Sequence, residues 1–143
     1  MKSKKKQPVI NKAPHPTKTI KDRYKQSSSF TWSFQLIDFE GQFGWKNCAS
    51  PEKFQDVLAK KKAFELMSFQ ELSQQGSHGI SLSQLSKKAK DRLKDLSLDD
   101  LDELYSFRIS GRERFWCIRD NAIMKVLWWD PHHEICPSIK RHT

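Results

Sequence analysis

The chain is poor in cysteine: Cys48, Cys117 and Cys136 are the only three among 143 residues, an odd number set far apart. That excludes a disulfide framework and suits a reducing compartment. No apolar run approaches the roughly 18 residues of a membrane span. The N-terminal lysines have no apolar segment behind them, so no secretory signal is expected and the location implied is cytoplasmic. No glycine-rich phosphate loop, GxSxG elbow or dinucleotide fingerprint occurs, and no CxxC pair or HExxH pattern marks a metal site. A zinc set built from His132 or His133 with Cys136 and Asp130 is the one metal alternative, and its spacing matches no paired pattern. Neither metal nor cofactor is expected.

Negative charge is nearly missing from one end. Residues 1–26 carry nine Lys and Arg against a single acid, Asp22, which places +8 of the formal net charge of +9 there. The rest of the chain, with 17 basic and 16 acidic residues, is close to neutral. Residues 1–27 are rich in Lys, Pro, Ser and Thr without a period and read as a disordered basic tail. Such an arm attracts nucleic acid through counterion release, or merely solvates the chain. Residues 28–143 suffice for one domain with a real core.

The pattern changes at Phe30, where Phe30, Trp32, Phe34 and Leu36 alternate with Thr31, Ser33 and Gln35 as in a half-buried strand. Ser50-Pro51-Glu52 is a helix start, with Phe54, Val57 and Leu58 as the expected inner face. Ser68 and Glu71 form a capping box for a second helical stretch. Residues 74–81 (QQGSHGIS) read as a flexible connection. Leu82, Leu85, Ala89, Leu93 and Leu96 then recur at helical spacing, with Lys87, Lys88, Lys90, Arg92 and Lys94 mostly on the other side. Ser97, with Asp99 and Asp100 after it, is placed to cap one further turn. Tyr105, Phe107 and Ile109 alternate with polar residues. Turns at Gly111-Arg112 and Asp120-Asn121 separate this strand from RFWCIR and AIMKVLWW. The expectation is an α+β domain: an antiparallel sheet of one N-terminal strand and a C-terminal three-strand meander, with two or three helices on one face.

The chemistry concentrates near the end of that meander. An open sheet face bearing Arg108, Arg114 or Arg119, and Lys125, bordered by His132 and His133, would make a phosphate-binding concavity. The bland alternative is solvated arginines paired with Glu113, Asp120 or Asp130. Histidine titrates near neutrality and suits proton transfer at a ribose hydroxyl, and only one of two adjacent histidines would face the site. Cys117 reads as a buried apolar residue, and Cys48 precedes a helix cap without a histidine partner. The aromatic stripes, Trp128 and Trp129 included, read as core rather than as base-stacking platforms.

The segment LKDLSLDDLDELYSFRISGRERFWCIRDNAIMKVLWWDPHHE carries a basic helix ending at Leu93-Lys94-Asp95-Leu96. A Tyr-x-Phe-Arg-Ile strand follows at 105–109, then an Arg-Phe strand at 114–118, and a last apolar strand running into His132 and His133. Over about residues 82–134 it resembles the RelE/HigB-like toxins of the RelE/ParE superfamily. The resemblance implies a RelE-like domain and a metal-independent endoribonuclease toxin that cuts mRNA, often on the ribosome, by 2′-hydroxyl attack on the adjacent phosphate. It implies Arg114 stabilising the phosphate, Arg108 and Lys94 holding the backbone, His132 or His133 as acid or base, and a small acidic antitoxin protein as partner. The long lysine tail, the two helical stretches before Gly76 and the Trp-Trp-Asp-Pro run depart from that pattern. The alternatives are a non-catalytic nucleic-acid-binding module using the basic tail, and a protein-interaction domain that has lost its chemistry. Neither a membrane nor a small-molecule ligand is expected.

Overall fold

The computed structural model describes residues 29–48 and 50–137; the tail expected over residues 1–27 lies outside them. Five strands form one sheet: β1 (Thr31–Ser33), β2 (His78–Ser81), β3 (Glu103–Ser110), β4 (Glu113–Asp120) and β5 (Ile123–Asp130). Their order is β1-β5-β4-β3-β2. The meander β3-β4-β5 forms as its turn signals predict. The α+β class holds, but the sheet is mixed rather than antiparallel, because β1 pairs parallel with β5. A fifth strand, β2, lies in the segment expected to be a flexible connection and closes the other edge against β3.

Three helices flank the sheet: α1 (Pro51–Phe64), α2 (Phe69–Gln74) and α3 (Lys87–Asp95). Each starts on a serine. Ser50 accepts from the Lys53 N–H, Ser68 completes the capping box with Glu71, and Ser86 accepts from the Ala89 N–H. The leucine run that promised one long helix from Leu82 is split: a 3-10 turn spans Leu82–Gln84 and α3 begins anew after Ser86. Among the described residues no further helix follows Ser97, which has φ +58°.

The helices do not share one face. Val57 and Phe64 of α1 and Leu72 of α2 join Phe30, Tyr105, Phe107, Phe115, Cys117, Val126 and Trp129 in one cluster. Leu85, Ala89 and Leu93 of α3 and its approach join Leu104, Trp116, Ile118, Leu127, Trp128 and Ile135 in a second. Both faces of the central strands are therefore covered, and the open sheet face expected from alternation does not exist. That is why β4 and β5 read as nearly continuous apolar runs. A β-bulge opposite Trp116/Cys117 adds one residue to β5, so Leu127 and Trp128 both join the α3 side while Trp129 turns to the other.

The N-terminal strand is shorter than its alternation suggests. Phe30 is buried and Trp32 half-buried, but the chain turns after Ser33 and leaves Phe34 54 % exposed. In α1, Phe54 and Leu58 are exposed, and Lys61 takes the inward position one turn beyond Val57. Its ammonium lies 5.0–5.7 Å from the ring centres of Trp32, Phe34, Trp45 and Phe115, an all-aromatic surrounding that compensates a buried cation. Burial pushes the Lys61 pKa down.

On the α3 side, Asp38 ties three segments together. It accepts from Arg92 Nε and NH2 at 2.9 Å each and from the Trp128 indole at 2.9 Å. Burial raises the Asp38 pKa, but these hydrogen bonds outweigh it and hold the carboxyl below its ordinary value. Its contribution to stability is thus present above the unfolded carboxyl pKa and is lost as pH falls through the lower folded value. Asp38→Ala should cost about 3–5 kcal/mol, since it strands the Arg92 charge and the Trp128 N–H. Glu40→Ala, which removes an exposed pair with Lys46, should cost about 0–1 kcal/mol. Urea titrations at pH 7 measure both, and near-equal losses would contradict the keystone role of Asp38.

Candidate phosphate-binding corner

Arg108 in β3, Arg114 in β4 and Asp130 in β5 are successive cross-strand partners, aligned on the face that α3 covers. They lie at one end of that face, beyond the apolar cluster. Two guanidiniums directly opposite each other repel. Among the described residues neither has a carboxylate within ion-pair distance.

Asp130 is the nearest acid, and its oxygens are committed elsewhere. Oδ1 accepts from the Glu134 N–H at 2.8 Å, and Oδ2 accepts from the Ile135 N–H at 3.1 Å and the Trp116 indole at 3.3 Å. The side chain is fully buried, so these three donors satisfy most of what a buried carboxylate requires. They also wrap the chain after Pro131 into a tight turn. Ile135 enters the core there, and its carbonyl accepts from the Ser86 N–H at 2.7 Å, which joins the turn to the start of α3.

The turn brings His133 to the arginines. It has φ +60°, a left-handed conformation uncommon outside glycine and asparagine, and is half-buried. Burial lowers its pKa, Arg114 and Arg108 push the same way, and Asp130 opposes them. The imidazole is therefore neutral at pH 7 and able to accept a proton. His132, beside it, is exposed.

The Arg114 guanidinium is held by the backbone near it. Arg114 NH1 donates to the carbonyls of Gly111 at 2.7 Å and Glu113 at 3.1 Å. Burial and the Arg108 charge lower the Arg114 pKa while Asp130 raises it; a guanidinium so perturbed is still a cation at neutral pH. The Arg108 N–H donates to the buried Ser77 hydroxyl at 2.9 Å. Its side chain crosses Gly76, where an added Cβ would lie 3.0 Å from Arg108 Cδ on a backbone with φ +89°. Gly76 thus makes room for the arginine and supplies the turn into β2.

The corner gathers Arg108, Arg114 and His133, and leaves out the other expected cations. Arg119 lies on the opposite face, 3.9 Å from the centre of the Phe69 ring, and donates to the Asn121 carbonyl. Lys125 is opposite Ile118, four residues along β4 from Arg114 or roughly 13 Å, and is ion-paired with Asp120 at 3.3 Å. Lys94 lies on α3, in a separate cleft. Burial raises the pKa of Cys117 far above its ordinary value, and those of Cys48 and Cys136 as well, so none is a ready thiolate. Among the described residues no group of three or more His, Cys, Asp or Glu is placed to hold a metal ion, and no helix is long and apolar enough to cross a membrane.

Residue-level reading of the sequence missed the parts that assemble the corner. Asp130 stood there as a partner for an arginine, and Gly76-Ser77 as a flexible link. The Asp-Pro step after an apolar strand was the available signal for the turn. No protein-family model, curated protein or solved structure matches the chain, so the chemistry of the corner rests on its own geometry.

Replacing Arg114 with Met removes the strongest charge acting on His133. The His133 pKa should rise, while Lys125→Met should leave it within about 0.2 of its starting value, because Lys125 is beyond a Debye length at physiological salt. NMR titration of the imidazole proton resonances measures both. A His133 pKa indifferent to Arg114 would mean that the two groups do not share a site.

Proposed function

We propose that the corner binds an RNA phosphodiester and that the protein is a metal-independent endoribonuclease, similar in chemistry to the RelE/HigB-like toxins. The observation that carries this reading is the pairing of Arg108 with Arg114, two cations that have no carboxylate within ion-pair distance among the described residues, beside a neutral imidazole. Such a pair is unfavourable alone and becomes favourable around a dianion, which is what phosphoryl transfer generates. His133 takes the proton from the ribose 2′-hydroxyl, and the 2′-oxygen attacks phosphorus. The P–O5′ bond breaks, and the departing 5′-oxygen takes a proton from water. The products are a 2′,3′-cyclic phosphate and a 5′-hydroxyl. Arg108 and Arg114 bind the non-bridging oxygens as charge builds on them, and Asp130 acts only through the turn that positions His133. RNA, free or presented on the ribosome, is the substrate on this reading, and an acidic antitoxin is the partner it implies.

A second reading, a nucleic-acid-binding module without cleavage, is favoured by a different observation. The α3 lysines 87, 88, 90 and 94 are all exposed, and Lys87 alone of them is ion-paired among the described residues, to Asp91 at 2.8 Å.

Purified protein incubated with single-stranded RNA, with and without ribosomes, separates the two. Cleavage should persist in chelator and rise with pH through the His133 pKa. Arg114→Ala and His133→Ala should each lower the rate by about 10²–10³. Arg119→Ala and Lys125→Ala should leave it within about twofold. Intact RNA under every condition, with binding that depends on residues 1–27 and weakens steeply with salt, would replace the nuclease with the binding module.

A further inference from the structure

A second concavity lies on the α3 side, apart from the arginine corner. Its volume is about 280 Å³, and it is lined by Leu82 and Ser83 of the 3-10 turn, Lys90, Leu93 and Lys94 of α3, and Asp99 of the loop that follows. Leu93 is fully buried and Leu82 half-buried, so the floor is apolar, while Ser83, Lys90, Lys94 and Asp99 are exposed around it. This is the composition of a small-ligand site: a mostly apolar floor and a few polar groups at the rim. Its size suits something smaller than a typical cofactor.

The rim charges are only weakly offset, Lys94 by Asp91 on the same helix. Among the described residues none of Lys90, Lys94 and Asp99 has an ion-pair partner within 4.0 Å. Lys90 and Lys94 are one helical turn apart on one face of α3, which sets the bases of their side chains about 6 Å apart. Two such ammoniums beside an apolar floor fit a phosphate with an attached ring. The carboxylate of Asp99 accepts hydrogen bonds and donates none, so it favours an exocyclic amino group over a carbonyl at the ring edge that faces it.

The helix that lines the cleft is tied at its start to the turn that carries His133. Helix α3 begins at Ser86, whose N–H is bonded to Ile135 in the turn built on Asp130. By helical rise, Lys90 and Lys94 lie roughly 6 and 12 Å along the axis from that cap.

We propose that this cleft is a nucleotide subsite that takes one base of single-stranded RNA carrying an exocyclic amino group. Lys90 and Lys94 hold its phosphate, Leu82 and Leu93 carry its ring, and Asp99 accepts from the amino edge. Uracil has no exocyclic amino group and is disfavoured. The subsite deepens the RNA reading given above and rests on RNA being the ligand, but not on cleavage.

Heteronuclear NMR titration of the full chain with cytidine 5′-monophosphate and uridine 5′-monophosphate tests it. The cytidine nucleotide should bind about five- to tenfold more tightly, as one carboxylate–amino contact provides, and should shift the amides of residues 82–83 and 93–99. Lys94→Glu should weaken binding at least tenfold, and Asp99→Asn should erase the preference for cytidine. Arg119→Ala, on the opposite face of the sheet, should leave the cytidine preference intact. These rim residues are exposed, and unchanged circular dichroism checks that each variant is folded. Equal affinities for the two nucleotides, shifts confined to the arginine corner, or unchanged binding in Lys94→Glu would each overturn the subsite. Base-selective binding in a protein that leaves RNA uncut would keep the subsite and remove the nuclease.

Discussion

The carboxylate of Asp130 is the point on which both fold and site turn. It sits at the end of β5, fully buried, where an unsatisfied ionised group would be strongly destabilising. The chain supplies the donors locally: two backbone N–H groups from residues 134 and 135 and one indole from the neighbouring strand. Satisfying the carboxylate and folding the turn are therefore the same event. The turn in turn fixes three things at once: Ile135 in the core, the start of α3 through Ser86, and His133 in a left-handed conformation beside two arginines.

Much of this architecture was legible in the residues. Serine caps, the capping box and the turn dipeptides place α1, α2 and the meander, because these signals act through the nearest few residues. What could not be read is non-local. Alternation assigns every second residue of β5 to one face, and by that rule Asp130 shares a side with Val126 and Trp128. The bulge at Leu127 breaks the alternation and carries Trp128 and Asp130 to the α3 side, opposite Trp116 and Arg114. One extra residue in a strand thus decides whether the acid can serve the site, and no period reveals it. Strand β2 was missed for a related reason: four residues with two small side chains pair with β3 because Tyr105 and Arg108 reach back to Ser77, a contact made across about thirty positions of chain.

The covering of both sheet faces limits where chemistry can occur. An arginine on the face of a central strand would be under a helix, and the buried positions of β3, β4 and β5 are accordingly apolar apart from Ser106 and Asp130. The cations that alternation placed on an open face end up at the sheet's margins, at opposite ends or on opposite sides. Arg119 covers an aromatic ring and Lys125 pairs with an acid, so both are internally satisfied. Among the described residues Arg108 and Arg114 have no ion pair, and Arg114 is held by backbone carbonyls alone.

That contrast is the strongest physical argument for function at the corner. The protein shows two ways of holding a cation away from bulk water. Lys61 rests among four aromatic rings and Arg92 on a buried carboxylate, and each is offset where it stands. Arg108 and Arg114 face each other across a strand pair; the Arg108 charge lowers the pKa of the half-buried Arg114, and both lower that of His133. Local choices in a well-folded chain agree with one another, and the places where they conflict mark sites kept for another purpose. An anion lying between the two guanidiniums would reverse the sign of that conflict, and its negative charge would raise the His133 pKa. The same anion that relieves the arginines would thus strengthen the base beside it.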